Sequence, residues 1–130
     1  MQVRKIYCDG STKEACVVAG GASCFVRYYA PKTNNQSEYC AVCLACQEAR
    51  IWARVQLGHG SLEAKILTDS LLVVNQLNGS YRCTNTQLKG WLDTLKSLIK
   101  WAFVYDNIRI SVEYIPREDN PAGKILEKRR

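Results

Sequence analysis

The chain contains a single histidine, His59, among 130 residues. Set between glycines in Gly58-His59-Gly60, it reads as the end of a helix rather than as a catalytic imidazole. No apolar run approaches the ~18 residues of a membrane span. The opening Met1-Gln2-Val3-Arg4-Lys5 leads into a strand-like segment instead of a secretory leader. No repeat or low-complexity linker interrupts the chain. The expectation is one domain over residues 1–130, cytoplasmic, with no membrane partner and no obligate protein partner, a monomer that Met1 suggests is free-standing.

Acidic residues are in the minority: 12 Asp and Glu against 18 Lys and Arg leave a net charge of +6, and the pI is near 9.0. That balance favours a polyanionic partner such as nucleic acid, although the tail Lys124…Lys128-Arg129-Arg130 carries part of it. Seven cysteines is an odd count in a chain without an export signal, so structural disulfides are not expected. Cys8, Cys24, Cys40, Cys43, Cys46 and Cys83 lie in apolar surroundings, where a reduced cysteine acts as a small hydrophobe.

The patterning predicts a strand over about residues 2–9, a Gly20-Gly21 turn or bulge, and a second strand through about Tyr29. A third strand is expected to pair with the second near Arg27 to Pro31. A long helix is expected from about Ser37 to Leu57, with Glu38 in its first turn. Then come a short strand from Ala64 to Thr68, a short helix over Leu71–Leu77, a second long helix from about Thr84 to Tyr105, and a strand from Ile108 to Tyr114. Asn120 is a good N-cap for a last helix opening at Pro121. Such an order gives an α/β fold, a mixed sheet flanked by helices.

Three carboxylates stand where an apolar segment meets a polar one: Asp9 in Cys8-Asp9-Gly10-Ser11, Glu38 in Thr33-Asn34-Asn35-Gln36-Ser37-Glu38, and Asp69 in Leu67-Thr68-Asp69-Ser70. Each alone is a turn, a helix-start carboxylate or an N-cap. Jointly they suit a hard divalent cation, which takes oxygen ligands from distant chain segments.

In this order, with Pro116-Arg117-Glu118-Asp119-Asn120 after them, the motifs resemble type 1 ribonuclease H over about residues 2–127. The resemblance implies a ribonuclease-H-like fold with a five-stranded mixed sheet. It implies an endonuclease that cuts the RNA strand of RNA/DNA hybrids with two Mg²⁺ or Mn²⁺ ions, leaving 5′-phosphate and 3′-hydroxyl ends. Asp9, Glu38 and Asp69 become metal ligands. Gly10, Ser11, Thr33, Asn34, Asn35 and Arg117 become substrate contacts, Asn34 and Asn35 reading the shallow minor groove. Tyr81, Arg82, Lys89 and Trp91 are candidates for the DNA strand, whereas Trp101 is expected in the core.

The chain departs from that pattern where the family has a fourth aspartate, in a segment resembling Asn-x-x-Ala-Asp. A gapless match puts Lys124 there and a one-residue shift puts Gly123, neither of which can ligate as a carboxylate does. Asn120 is the expected fourth catalytic residue and metal ligand, through its amide oxygen, with Asp119 as the rival. The altered corner also raises an alternative, a catalytically weakened hybrid-binding module of the same fold. Finally, Cys40, Cys43 and Cys46 mimic an iron–sulfur run. On one continuous helix the outer two point ~120° apart and ~9 Å apart along the axis, so they cannot converge on a cluster.

Overall fold

The computed structural model describes residues 2–56 and 60–129, so His59 and its expected turn lie outside the described residues. The elements are β1 (Gln2–Gly10), β2 (Glu14–Ala19), β3 (Ala22–Arg27), α1 (Asn34–Val55), β4 (Leu62–Thr68), α2 (Leu71–Leu77), α3 (Thr86–Asp106), β5 (Ile108–Tyr114), a 3₁₀ turn (Arg117–Asp119) and α4 (Pro121–Lys128).

The five strands form one sheet in the order β3-β2-β1-β4-β5. β1, β2 and β3 form an antiparallel meander, while β1, β4 and β5 run parallel. The third strand is therefore not at Arg27 to Pro31 but ahead of the glycine pair, as β2. Gly20 and Gly21 have φ of 57° and 82°, and two successive positive values are what a tight hairpin turn needs. β2 has three successive buried residues, Ala15 to Val17, because both of its faces are covered. A strand covered on both sides shows no alternation to read.

On one face of the sheet lie α1 and α3, against Ile6, Cys8, Ala64, Ile66 and Ile108. The buried side of α1 is built of small residues, Ala41, Ala45, Cys46, Ala49 and Ala53, which bring its axis close to the strands. Arg50 and Arg54 both bind the Asp106 carboxylate and tie the end of α3 to α1. The opposite face holds a smaller cluster in which Ala122 and Leu126 of α4 meet Cys16, Tyr7 and Phe25.

Two expectations about single residues fail. Trp101 is not core, being 46% exposed on α3. Cys24 is exposed on β3, an edge strand with nothing paired beyond it. All seven cysteines are free thiols, and burial pushes the Cys43 thiol up to about 12. Cys40, Cys43 and Cys46 all lie on the one continuous helix α1, where they cannot converge on a cluster.

Candidate functional site

The parallel register brings the first two carboxylates together. Tyr7 of β1 lies beside Leu67 of β4, so two residues further on Asp9 and Asp69 stand side by side at the ends of neighbouring strands. Just past β4, the Thr68 hydroxyl accepts from the Ser70 N–H (3.1 Å), and the Ser70 hydroxyl caps α2 by accepting from the Val73 N–H (3.3 Å). These bonds fix the turn on which Asp69 sits.

The third carboxylate arrives on α1, whose start is set by a capping box. The Thr33 hydroxyl accepts from the Gln36 N–H (3.2 Å), and the Gln36 side-chain oxygen accepts from the Thr33 N–H (3.1 Å). The helix thus begins at Asn34, earlier than expected, and Glu38 falls in its second turn instead of its first. What brings Glu38 to Asp9 is Gly10. A Cβ there would sit 2.2 Å from the Ser37 carbonyl oxygen, so only glycine lets α1 approach β1 this closely. The Gly10 N–H then donates to Glu38 Oε1 (3.2 Å).

Ligand oxygens of Asp9, Glu38 and Asp69 all lie within 4.8 Å of one another, the one such group of three or more metal-ligating side chains among the described residues. They line a cavity of about 480 Å³ whose rim adds Gly10, Ser11, Thr12, Asn34 and Arg117. No described lysine or arginine forms an ion pair with any of the three. The charges repel in a partly buried place. Desolvation, with the negative charge of Asp9 next, pushes the Glu38 carboxyl up to about 9. Desolvation and Asp69 raise Asp9 as well, opposed by hydrogen bonding to Glu38 and to the Gly10 backbone and, least, by Arg117. Three crowded, underpaired carboxylates are a fit for hard divalent cations, which would supply the missing counter-charge.

The remaining residues named from the sequence divide. Asn34 and Arg117 reach the cavity; Thr33 and Asn35 are exposed and do not line it. The Ser11 side chain is engaged in its own turn: it donates to the Glu14 carbonyl (3.1 Å) and accepts from the Glu14 N–H (3.1 Å) and Lys13 N–H (3.3 Å). Trp91 is half-buried against the core, and its ring holds Lys32 at 5.6 Å, with Tyr28 on the same ammonium at 5.1 Å.

Asn120 is at the site but its amide faces the other way from the expectation. It is fully buried. Its oxygen accepts from the Ala122 N–H (3.1 Å) as the cap of α4, while its NH₂ donates to Asp69 Oδ2 (3.2 Å) and to the Cys8 carbonyl (3.0 Å). Flipping the amide would set a donor on a donor and an oxygen on two oxygens, so the network fixes this orientation. Asn120 therefore steadies Asp69 and offers no oxygen to a metal. The rival Asp119 is exposed in the 3₁₀ turn, outside the cluster.

The position that faces the cluster from α4 is 123. A Cβ on Gly123 would lie 3.2 Å from Asp9 Oδ2 and 3.6 Å from Asp69 Oδ2. Lys124, the gapless match, is exposed and absent from the cavity wall. Of Lys124 and Gly123, the two matches to the fourth motif position, the fold selects Gly123.

No family model matches the chain. An uncharacterized Bacillus subtilis (strain 168) protein, YpeP, is 34% identical over 100 residues, which cover 75% of this chain and 39% of that protein. The chain thus spans well under half of the curated relative it matches. Among solved structures, ribonuclease H1 of the halophilic archaeon Halobacterium salinarum NRC-1 superposes with a TM-score of 0.73 at 24% identity, covering 95% of this chain and 93% of that one. LC11-RNase H1, solved in complex with an RNA/DNA hybrid, gives 0.78 at 21% identity over 95% and 92%. An N-terminal RNase H domain from Mycobacterium tuberculosis gives 0.66 at 23% identity, covering 99% of both chains. Identities this low speak for architecture, and they agree with the strand order and the helix placement: the chain has a ribonuclease-H-like fold.

Proposed function

We propose that the protein is a metal-dependent endonuclease that hydrolyses the RNA strand of RNA/DNA hybrids. The observation that carries this reading is the convergence of Asp9, Glu38 and Asp69 within 4.8 Å. Support for the substrate comes from the fold shared with LC11-RNase H1, whose structure holds an RNA/DNA hybrid, and from the net charge of +6. Two Mg²⁺ or Mn²⁺ ions held by the three carboxylates would supply a water-derived nucleophile and stabilise charge on the phosphate and the leaving 3′ oxygen. The chain's own residues do the positioning. Gly10 and Asn120 orient Glu38 and Asp69 through the bonds described. Arg117 lies across the cavity as a permanent cation for a phosphate oxygen, and Asn34 presents a side chain at the rim. The products on this reading are 5′-phosphate and 3′-hydroxyl ends.

A second reading, a hybrid-binding module with weakened catalysis, is favoured by one observation: glycine, not a carboxylate, faces Asp9 and Asp69 from α4. Incubating the protein with a hybrid labelled on its RNA strand, in Mn²⁺, separates the two. Cleavage that Asp69→Asn reduces about 10³-fold supports the nuclease; tight binding with the RNA left intact supports the module.

A further inference from the structure

Beside the carboxylate cavity lies a second groove of about 450 Å³, and the two share Ser11 and Thr12 as a common wall. The groove is lined by Lys13, Glu14, Arg27 and Arg129, from the β1–β2 turn, the end of β3 and the end of α4. Its charges are not balanced. Glu14 is taken up by Arg129, whose guanidinium donates to both of its carboxylate oxygens (2.7 and 3.0 Å) and stacks 3.9 Å above the Phe25 ring. Arg27 stands opposite Glu14 in the β2–β3 ladder but forms no ion pair with it. Lys13 and Arg27 are both exposed and neither has an ion-pair partner among the described residues. With Arg129 and Glu14 cancelling, the groove keeps two positive charges that have no ion-pair partner among the described residues, beside the stacked ion pair.

We propose that this groove is a phosphate-binding site for the strand that is cut, seating a backbone phosphate a short way along the RNA from the one at the carboxylates; the proposal rests on the hybrid-nuclease reading. Arg27 brings a planar fork suited to a phosphate's paired oxygens and Lys13 a mobile point charge. A nucleic-acid strand carries one negative charge per about 3.4 Å of axis, so a strand whose phosphate sits at Asp9 and Asp69 has further phosphates immediately beside it. The two compartments share the Ser11–Thr12 wall, so the strand seated at the carboxylates is the one this reading continues into the groove. The site thus has two compartments. One is acidic and cation-dependent for the scissile phosphate, and the other is basic for a neighbouring phosphate, holding the strand in register.

The test compares the wild type with the exposed-site variant Lys13→Ala/Arg27→Ala, using fluorescence anisotropy on a labelled hybrid in Ca²⁺ from about 50 to 200 mM salt, the range over which phosphate contacts register most clearly. Losing up to two phosphate contacts lowers the slope of log Kd against log salt by about 1 to 2 and weakens binding about tenfold or more at the low-salt end. Trimming the RNA strand from each end in turn removes the difference between the two proteins at one end only, while trimming the DNA strand leaves it. Equal slopes and affinities overturn the proposal, and so does a difference that follows the DNA strand. Cleavage by the wild type in Mn²⁺ is scored separately. If the wild type cleaves and the variant binds identically, the groove is wrong and the nuclease reading stands. If the slope falls but no cleavage occurs, the groove stands and catalysis fails. A wild type that binds no hybrid overturns both.

Discussion

The carboxylate site has two sides built by different scaffolds. Asp9, Asp69 and Glu38 stand on the β1–β4 ladder and on a helix pressed against it at Gly10, where neighbouring backbones fix the side chains. The α4 side stands on a helix start held by one amide, Asn120. A ladder transmits any displacement to its neighbours, because its interior is close-packed. A capped helix start can change the residue it presents without disturbing what lies opposite. The three ladder-side corners carry carboxylates, and the α4 corner carries Gly123.

Breaking the ladder side gives the largest effect. In Gly10→Ala the new methyl meets the Ser37 carbonyl oxygen at 2.2 Å, and α1 must retreat. Overpacking of this kind costs about 1–3 kcal/mol, and a shift of Glu38 near 1 Å lowers cleavage about 10²-fold. Thermal melts and cleavage rates measure the two losses. Asn120→Ala acts from the α4 side. It removes the cap, costing about 1 kcal/mol, and frees Asp69, lowering Mn²⁺ affinity about 10- to 100-fold. Calorimetric Mn²⁺ titration separates that loss from the change in melting temperature.

Gly123→Asp sharpens the comparison in the other direction. A carboxylate next to Asp9 and Asp69 adds repulsion to the metal-free protein and a ligand to the metal-loaded one. Metal-free melting temperature falls while Mn²⁺ affinity rises about tenfold, as more ligand charge tightens hard-cation sites. A further expected effect is on pH dependence. Because Glu38 holds its proton up to about 9 when folded, against an ordinary 4.5, the metal-free folded state binds more protons than the unfolded chain. Its stability therefore declines as pH rises through that window. Melting curves across the window show the decline in the metal-free wild type, a flatter profile in Glu38→Gln, and a reduced decline when Mg²⁺ is added.

The same contrast explains what could be read from sequence. β5 and α2 were legible because apolar period and turn residues agree, Ile108 to Tyr114 alternating and Asn78-Gly79 closing Leu71–Leu77. The three carboxylates were legible because segment ends carry charge where apolar patterning stops. β2 was hidden by burial on both faces. The true start of α1 does carry a sequence signal, the Thr33-x-x-Gln36 capping box, with Thr33 five residues ahead of Glu38. The orientation of Asn120 had no sequence signal, since an amide offers both a donor and an acceptor. Gly123 was one of two matches to the fourth motif position, and only the fold separates it from Lys124.

The central claim is that Asp9, Glu38 and Asp69 form a divalent-cation site without a fourth carboxylate. Mn²⁺ titration followed by electron paramagnetic resonance, on the wild type and on Asp69→Asn, tests it most directly. The account predicts saturable Mn²⁺ binding in the wild type and a loss of affinity of at least about tenfold in the variant. Equal affinity in the two proteins, or no bound Mn²⁺ in the wild type, contradicts it.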